Sequence, residues 1–310
     1  MRLRAVLVAL PLVLVPLAAC APADDSSGTS ATDDGTTSAP TEETSAAATD
    51  EPTEAGGLSP ECAPDQLTLN AAGQLTIATD SPAYEPWFVD DDPTNGQGFE
   101  SAVAYAVADR LGFTPDQVEW VTVGFNQSYK PGDKDFDFDI NQISITPERA
   151  KVVDFSDGYY SASQAVIALK DSPVAGVTSV AELADFKLGA QTGTTSLTVI
   201  RDVVDPANDP AVFEDTNAAK QALLNNQVDA IIADLPTAFY ITAVEIPKAT
   251  IIGQFDAAGS DPEQFGMLFQ KGNPLVSCVN EALAALASDG TLDQIQQQWL
   301  SSEVDVPVLQ

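Results

Sequence analysis

From Leu67 to the C-terminus, strand-like and helix-like segments alternate along this chain. That alternation constrains the fold more than any other feature of the sequence. "QLTIATD" is a β-rich run, and "GFESAVAYAVADRLG" follows it. In the latter, Phe99, Val103, Ala106, Val107 and Leu111 share one helical face and Gly112 marks the stop. "VEWVTVGF", "FDFDINQISIT" and "SQAVIALK" read as strands, and "SVAELADF" opens on a capping box from Ser179 to Glu182. "KLGAQTG" is a strand running into a helix at "TSLTVIRDVV". "NAAKQALLNNQ" reads as a helix, "VDAIIAD" as a buried strand, "LPTAFYITAV" as a helix and "QFGMLFQK" as one strand. The helices "PLVSCVNEALAALAS" and "LDQIQQQWL" close the chain. Strands separated by helices predict parallel βαβ units and an α/β fold. Ligands of such sheets bind beyond the carboxyl ends of the strands.

Charge and composition remove whole classes of function. The 310 residues carry 13 Lys+Arg against 46 Asp+Glu, a net charge of −33. That field repels nucleic acid and anionic lipid. The chain has no histidine, which excludes Ser-His-Asp triads, Cys-His dyads, HExxH zinc sites and histidine general bases. Three cysteines without a CxxC pair argue against structural zinc, and nothing in the sequence calls for a metal or a cofactor.

Residues 1–19 read as a signal peptide: "MRLR" is a basic n-region, and the apolar run after it is short and broken by Pro11 and Pro16. It ends at Leu17-Ala18-Ala19-Cys20, which resembles the lipobox of bacterial lipoproteins, with Cys20 as the lipidated residue. An ordinary signal peptide cleaved nearby is the alternative. Residues 20–61 follow as an acidic tether. From 21 to 60 it has no Phe, Trp, Tyr, Ile or Val and one Leu, too little apolar surface to offset its ordering entropy. A flexible chain of that length spans about 35 Å. Two cysteines remain for an oxidising compartment, Cys62 and Cys278. They read as a disulfide, with two buried free thiols as the alternative.

The strand ends carry the candidate site. Asp80 ends one strand and is followed by Tyr84 and Trp87; Phe125 ends the next. Ser144 precedes Arg149, which is the one arginine between Arg110 and Arg201. Thr194 and Thr195 open a helix, whose free N–H groups suit an anion, and Asp234 ends a buried strand. A guanidinium fork for a carboxylate, a carboxylate for an ammonium and aromatics for a side chain make a recognition set for an amino acid. Trp87 and Trp120 read as core, and the acids at 90–93 as a solvated turn.

These stretches resemble the family 3 extracellular solute-binding proteins, the polar amino-acid receptors of ABC importers. "ITPERAKVVDFSDGYY" resembles the family's most specific stretch, and its arginine falls on Arg149. "GFESAVAYAVADRLG" resembles "GFDVDLA…LG", with Glu100 and Ala102 in place of two acids. "AQTGTTS" resembles "VQ-x-GTT", and "VDAIIAD" the strand that delivers an acidic ligand residue. The resemblance implies a two-lobed, type II periplasmic-binding-protein-like α/β fold, with two open sheets flanked by helices and a two-strand hinge. It implies ligand contacts at Asp80, Tyr84, Phe125, Gln142, Ser144, Arg149, Thr194, Thr195 and Asp234, with no catalytic residue and no metal. Lobe 1 is expected over residues 62–160 and 266–310, lobe 2 over 165–260, and the hinge near Tyr159–Gln164 and Asp261–Phe265. The expected protein is a lipid-anchored monomer on the extracytoplasmic membrane face. It would take a polar amino acid to an ABC permease, with glutamine or a basic amino acid favoured.

Asn141 and Gln142 stand where the family has small residues, so the pocket is expected to be remodelled. Asp80, Asn141, Gln142 and Gln191 form the side-chain end, and Lys130 is the one cation that would admit an acidic ligand. Two other readings stay open. One is an exported enzyme of dehydratase type, for which Glu148 and Asp80 are the candidate acids. The other is a ligand sensor without transport.

Overall fold

The computed structural model describes residues 57–256, 263–300 and 306–310. The signal-peptide reading, Cys20 and the tether up to residue 56 lie outside the described residues. The strands are β1 (Leu75–Thr79), β2 (Val118–Thr122), β3 (Phe138–Asp139), β4 (Val153–Phe155), β5 (Tyr160–Ala162), β6 (Gln164–Leu169), β7 (Leu188–Gln191), β8 (Ala211–Phe213), β9 (Ala230–Asp234), β10 (Ala249–Phe255), β11 (Glu263–Phe265) and β12 (Leu268–Gln270). The helices are α1 (Phe99–Arg110), α2 (Phe125–Ser128), α3 (Thr195–Val199), α4 (Thr216–Leu224), α5 (Leu235–Tyr240), α6 (Leu275–Ser288) and α7 (Thr291–Leu300). Single π turns, Ile200–Val204 and Ile241–Glu245, extend α3 and α5.

The fold is a two-lobed α/β architecture with one open sheet in each lobe. The first sheet runs β2-β1-β3-β12-β4 and the second β10-β6-β9-β7-β8. All five residues of β1 are buried, which is why it reads as an unbroken β-rich run rather than an alternating one. On the first sheet, α1 lays Phe99, Val103 and Val107 against Leu75, Ile77 and Phe138, and α6 adds Val279 and Leu283. The second sheet has a core on each face, one around Val166, Leu197 and Ile232, the other around Ile167, Leu223 and Ile231. β5 and β11 pair antiparallel, with Tyr160 opposite Phe265 and Ala162 opposite Glu263. β5 lies in sequence between strands of the first and second sheets, and β11 leads back, so this ribbon is the two-strand hinge.

Several expectations need correction. The sheets are mixed, not all parallel. β6 runs antiparallel to β9 and β10, and β12 antiparallel to β3 and β4. The reason is that β5 feeds β6, and β11 feeds β12, with no crossover helix between them to restore a parallel direction. "QFGMLFQK" is therefore two strands in two sheets, broken at Gly266. "FDFDINQISIT" contributes only Phe138 and Asp139 to the ladder, and Ser144 makes an isolated bridge to Phe265. β4, β8 and β10 went unread. At Ser179 only half of the capping box forms. Glu182 accepts the backbone N–H of Thr178 and Ser179, at 2.8 and 3.3 Å, ahead of a single 3-10 turn.

Both ends of the expected lobe 1 also shift. The tether expectation to residue 61 runs too far. Leu58 packs on the first core, and Ser59 donates through both its N–H and its hydroxyl to the carboxylate of Glu281 on α6, each at 2.8 Å. At the other end, residues 306–310 belong with the second sheet, not the first. Gln254 on β10 donates to Pro307 and accepts from Leu309, the Gln310 carbonyl takes the Val180 N–H, and Leu309 is buried over Gly253. Cys62 and Cys278 are joined in a disulfide with their Cα atoms 5.3 Å apart, tying the start of the folded part to α6.

Candidate functional site

The carboxyl ends of β1, β7 and β9 converge on one cavity between the two sheets. Asp80, Tyr84, Phe125, Gln142, Ser144, Thr194, Thr195 and Asp234 all line it, together with Asn141, Gln191, Thr216 and Thr237. Arg149 is not part of that lining. It sits just behind, 8% exposed, in a 3-10 turn. Its guanidinium lies 5.4 Å from the ring centre of Phe125 and 4.9 Å from that of Tyr129. It donates to the Ser144 carbonyl at 2.7 Å and to the Gly193 carbonyl at 2.9 Å. Ser144 belongs to the first lobe and Gly193 to the second, so one fork spans the cleft. Burial pulls the guanidinium below its ordinary range, opposed by Tyr129, Glu263 and Asp234.

On the first-lobe wall, Asp80 caps the turn it begins. Its carboxylate accepts the Ser81 N–H at 2.7 Å and, across Gly124, the Phe125 N–H at 3.1 Å. Phe125 opens the one-turn α2, so it packs Arg149 as well as facing the cavity. The acids at 90–93 form a turn, as read: Asp91 accepts the Ala83 N–H and Asp92 that of Thr94. Trp87 is fully buried core, and its indole N–H also crosses the cleft to the Thr237 hydroxyl at 2.8 Å.

Gln142 departs from the expectation of a free side-chain contact. Its φ is +46°, which turns its side chain toward α1. There its N–H and side-chain amide both donate to the carboxylate of Glu100. Glu100 also accepts the Tyr159 hydroxyl and is fully buried. Burial pushes it up from an ordinary 4.5 to about 7, against the pull of those three donors. Glu100, read as a structural change in a helix, is thus the support under the Gln142 turn. Beside it, the side-chain N–H donors of Asn141 are buried at the cavity without a partner among the described residues.

On the second-lobe wall, Thr194 is the N-cap of α3. Its oxygen accepts the Leu197 N–H at 3.2 Å and its hydroxyl donates to the Gln191 carbonyl at 2.8 Å. The Gln191 side chain accepts the Thr216 hydroxyl at 2.9 Å. Asp234 makes no side-chain cap for α5. It accepts instead the amide of Gln164 at 2.8 Å. Burial holds its carboxyl well above the usual range, Glu263 adds to the rise, and Arg149 opposes it.

Glu263, on the hinge strand β11, was missed. Its carboxylate accepts hydroxyls from both lobes, Ser144 and Thr195, the latter at 2.6 Å. Its other oxygen accepts the Gln164 amide at 3.1 Å. Gln164 was missed too, although a glutamine opening the apolar run "QAVIAL" is the kind of buried polar residue that needs partners. Two residues named for other readings are not at the cavity. Lys130 is exposed and bonded to Gln127. Glu148 is exposed, 3.8 Å from Lys151.

The family model described as bacterial extracellular solute-binding proteins, family 3, matches residues 75–302. The L-cystine-binding protein TcyJ of Escherichia coli (strain K12) is 27% identical over 253 residues, covering 80% of this chain and 91% of that one. The arginine-binding extracellular protein ArtP of Bacillus subtilis (strain 168) is 27% identical over 230 residues, 71% of this chain and 84% of its own. Among solved structures, the arginine-, lysine-, histidine-binding protein ArtJ of Geobacillus stearothermophilus superposes with a TM-score of 0.63 at 28% identity, covering 74% of this chain and 96% of that one.

Proposed function

Because this chain belongs to the family 3 bacterial extracellular solute-binding proteins, we propose that it captures a polar amino acid in the cleft and delivers it to an ABC permease. One observation carries this reading: an interlobe cavity lined by Asp80 and Asp234, with the Arg149 fork bonded to both lobes directly behind it. A ligand carboxylate would draw on Arg149, and its ammonium on Asp234. Contacts from both lobes favour the closed form, which is what a permease can recognise. The similarity to cystine-, arginine- and arginine/lysine/histidine-binding proteins supports the same ligand class.

The lining also narrows the side chain. It holds two acids and no lysine or arginine. A glutamate would bring a second carboxylate to that wall, and Lys130 is too far away to receive it. A leucine would leave Asp80 and the Asn141 amide desolvated, at about 1–3 kcal/mol each. Arginine or lysine pairs with Asp80. Glutamine pairs with Asp80 through its amide N–H and with the Asn141 amide through its carbonyl. We therefore rank basic amino acids and glutamine together, then asparagine, then glutamate. We read the molecule as a receptor rather than an enzyme, since the relatives it resembles are binding proteins.

The remaining parts of the reading are ours as well. Residues 57–160 with 266–300 form lobe 1, and 165–256 with 306–310 lobe 2. The lipobox at Cys20 anchors a monomer to the extracytoplasmic membrane face through the acidic tether, with no cofactor. Calorimetry of one preparation with L-arginine, L-lysine, L-glutamine, L-cystine, L-glutamate and L-leucine tests the function. Binding within the basic and amide set is expected, with a stabilisation of about 2.7 kcal/mol at a hundredfold excess over Kd. Tight leucine binding with none of the polar set bound rejects it.

A further inference from the structure

Beneath the cavity, one amide donor serves two carboxylates. The Gln164 side-chain N–H groups reach Asp234 at 2.8 Å and Glu263 at 3.1 Å, and Gln164 is itself fully buried. Its carbonyl end is fixed by the Ser196 hydroxyl at 2.6 Å, so the amide cannot turn away. Two carboxylates held against one neutral amide repel each other, and a site of this kind relieves the repulsion by keeping one proton. The hydrogen bonds say which of the two keeps it. Glu263 takes hydroxyls from Ser144 and Thr195 as well as the amide, so both of its oxygens are engaged as acceptors. Asp234 takes the amide alone among the bonds described here. Glu263 on β11 and Glu100 on α1 oppose its ionisation, Arg149 favours it, and the Tyr159 hydroxyl stays neutral.

We propose that Glu263 is a specificity-determining residue of the ligand site, whose charge keeps a proton on Asp234 while the site is empty, so that an arriving ligand ammonium expels that proton to solvent. This rests on the amino-acid reading given above. The balance is simple: protonated Asp234 with ionised Glu263, plus the ligand cation, becomes two ionised carboxylates around the ammonium and one released proton. Selectivity follows from it. A ligand without an ammonium cannot ionise Asp234, and a ligand carboxylate at that end meets two acids. The hinge strand would thereby read the charge of the ligand as well as carry the motion of the lobes. Its burial and the Glu263 charge hold the Asp234 carboxyl well above the usual range, in keeping with this.

The test is calorimetry of the purified full chain with L-arginine and with L-glutamine, in phosphate and in imidazole buffer, which both hold neutral pH and whose ionisation enthalpies differ. Near neutral pH the heats should differ between buffers in the sense of proton release on binding, and affinity should rise with pH. Glu263→Gln keeps an acceptor for Ser144 and Thr195 but removes the charge. It should still bind, with the proton release at the same pH clearly smaller than the parent's, burial alone accounting for what remains. Equal heats in the two buffers for the unaltered chain overturn the inference without needing any variant. So does a Glu263→Gln protein that releases as much as the parent. If neither amino acid binds at all, the amino-acid reading fails and this inference with it.

Discussion

Replacing Glu100 by Gln tests whether the support beneath the Gln142 turn is a neutral carboxyl through most of the physiological range. Glu100 is fully buried among the Gln142 N–H, the Gln142 amide and the Tyr159 hydroxyl, and sits at about 7 instead of an ordinary 4.5. A raised carboxyl gives its full contribution to stability below the unfolded value and loses it as pH rises through the folded one. Here the loss falls between about 4.5 and 7. A shift of that size corresponds to about 3 kcal/mol over the window. Gln has the shape of the protonated acid, and the Gln142 amide can flip to meet its N–H group. At about pH 5 the two proteins should therefore unfold at similar urea concentrations. By about pH 8 the variant should have gained roughly 2–3 kcal/mol on the parent. Paired urea melts at both pH values give the difference directly, with the other buried carboxyls common to both proteins. A parent-to-variant difference that stays constant across the window would refute the argument. It would mean that the three donors hold Glu100 ionised in spite of its burial.

Arg149→Lys keeps the charge but cannot reach the Ser144 and Gly193 carbonyls in one planar fork; amino-acid affinity should fall at least tenfold by calorimetry, with about 1–3 kcal/mol of stability lost in a melt. Removing the bridge with Cys62→Ser and Cys278→Ser should lower stability by up to about 5 kcal/mol, and coincident urea curves would exclude a bridge in solution. Gly193→Ala would be strained at φ +78° and would press its methyl onto Asn126 and Tyr129 of the opposite lobe. We expect it to weaken binding roughly tenfold or more while costing the fold about 1–2 kcal/mol, measured by calorimetry and thermal melting together. Unchanged affinity would show that closure does not bring these two surfaces together.

The fold was legible where local pattern and tertiary role coincide. The α1 face from Phe99 to Leu111 and the buried run of β9 say what they are by composition alone. Strand direction was not legible, because β5 and β6 are adjacent in sequence but lie in different sheets, and only the hinge makes the second run against its neighbours. β10 escaped because Gly253 interrupts an otherwise plain strand. That glycine is required by Leu309, more than fifty residues later, which lies where a side chain would be. At the site, residue types at strand ends located the cavity, but not what each side chain does there. Gln142 turns away because its φ is positive, and Thr194 spends its hydroxyl on a cap. Arg149 stands behind the wall because Phe125 and Tyr129 stack on it. Glu263 was hidden for a different reason: it lies in a segment read only as a connection, and its role depends on Ser144 and Thr195 arriving from opposite lobes.

The bridge between Cys62 and Cys278 also decides how the molecule would bear a load. Residues 63–277 form a closed loop between the two cysteines, which are 216 positions apart in sequence. A pull on the chain before Cys62 passes through the sulfurs into α6, and β1 and the segments that line the cavity lie off that covalent path. Stretched from its two ends, the oxidised folded part would lengthen only by the residues outside the loop, with the loop itself contributing little more than the 5.3 Å between the bridged Cα atoms. After reduction the same pull would draw out the entire loop, about 3.3–3.6 Å for each residue. Thiol state, rather than ligand or pH, would then set whether tension on the N-terminal side can reach the cleft.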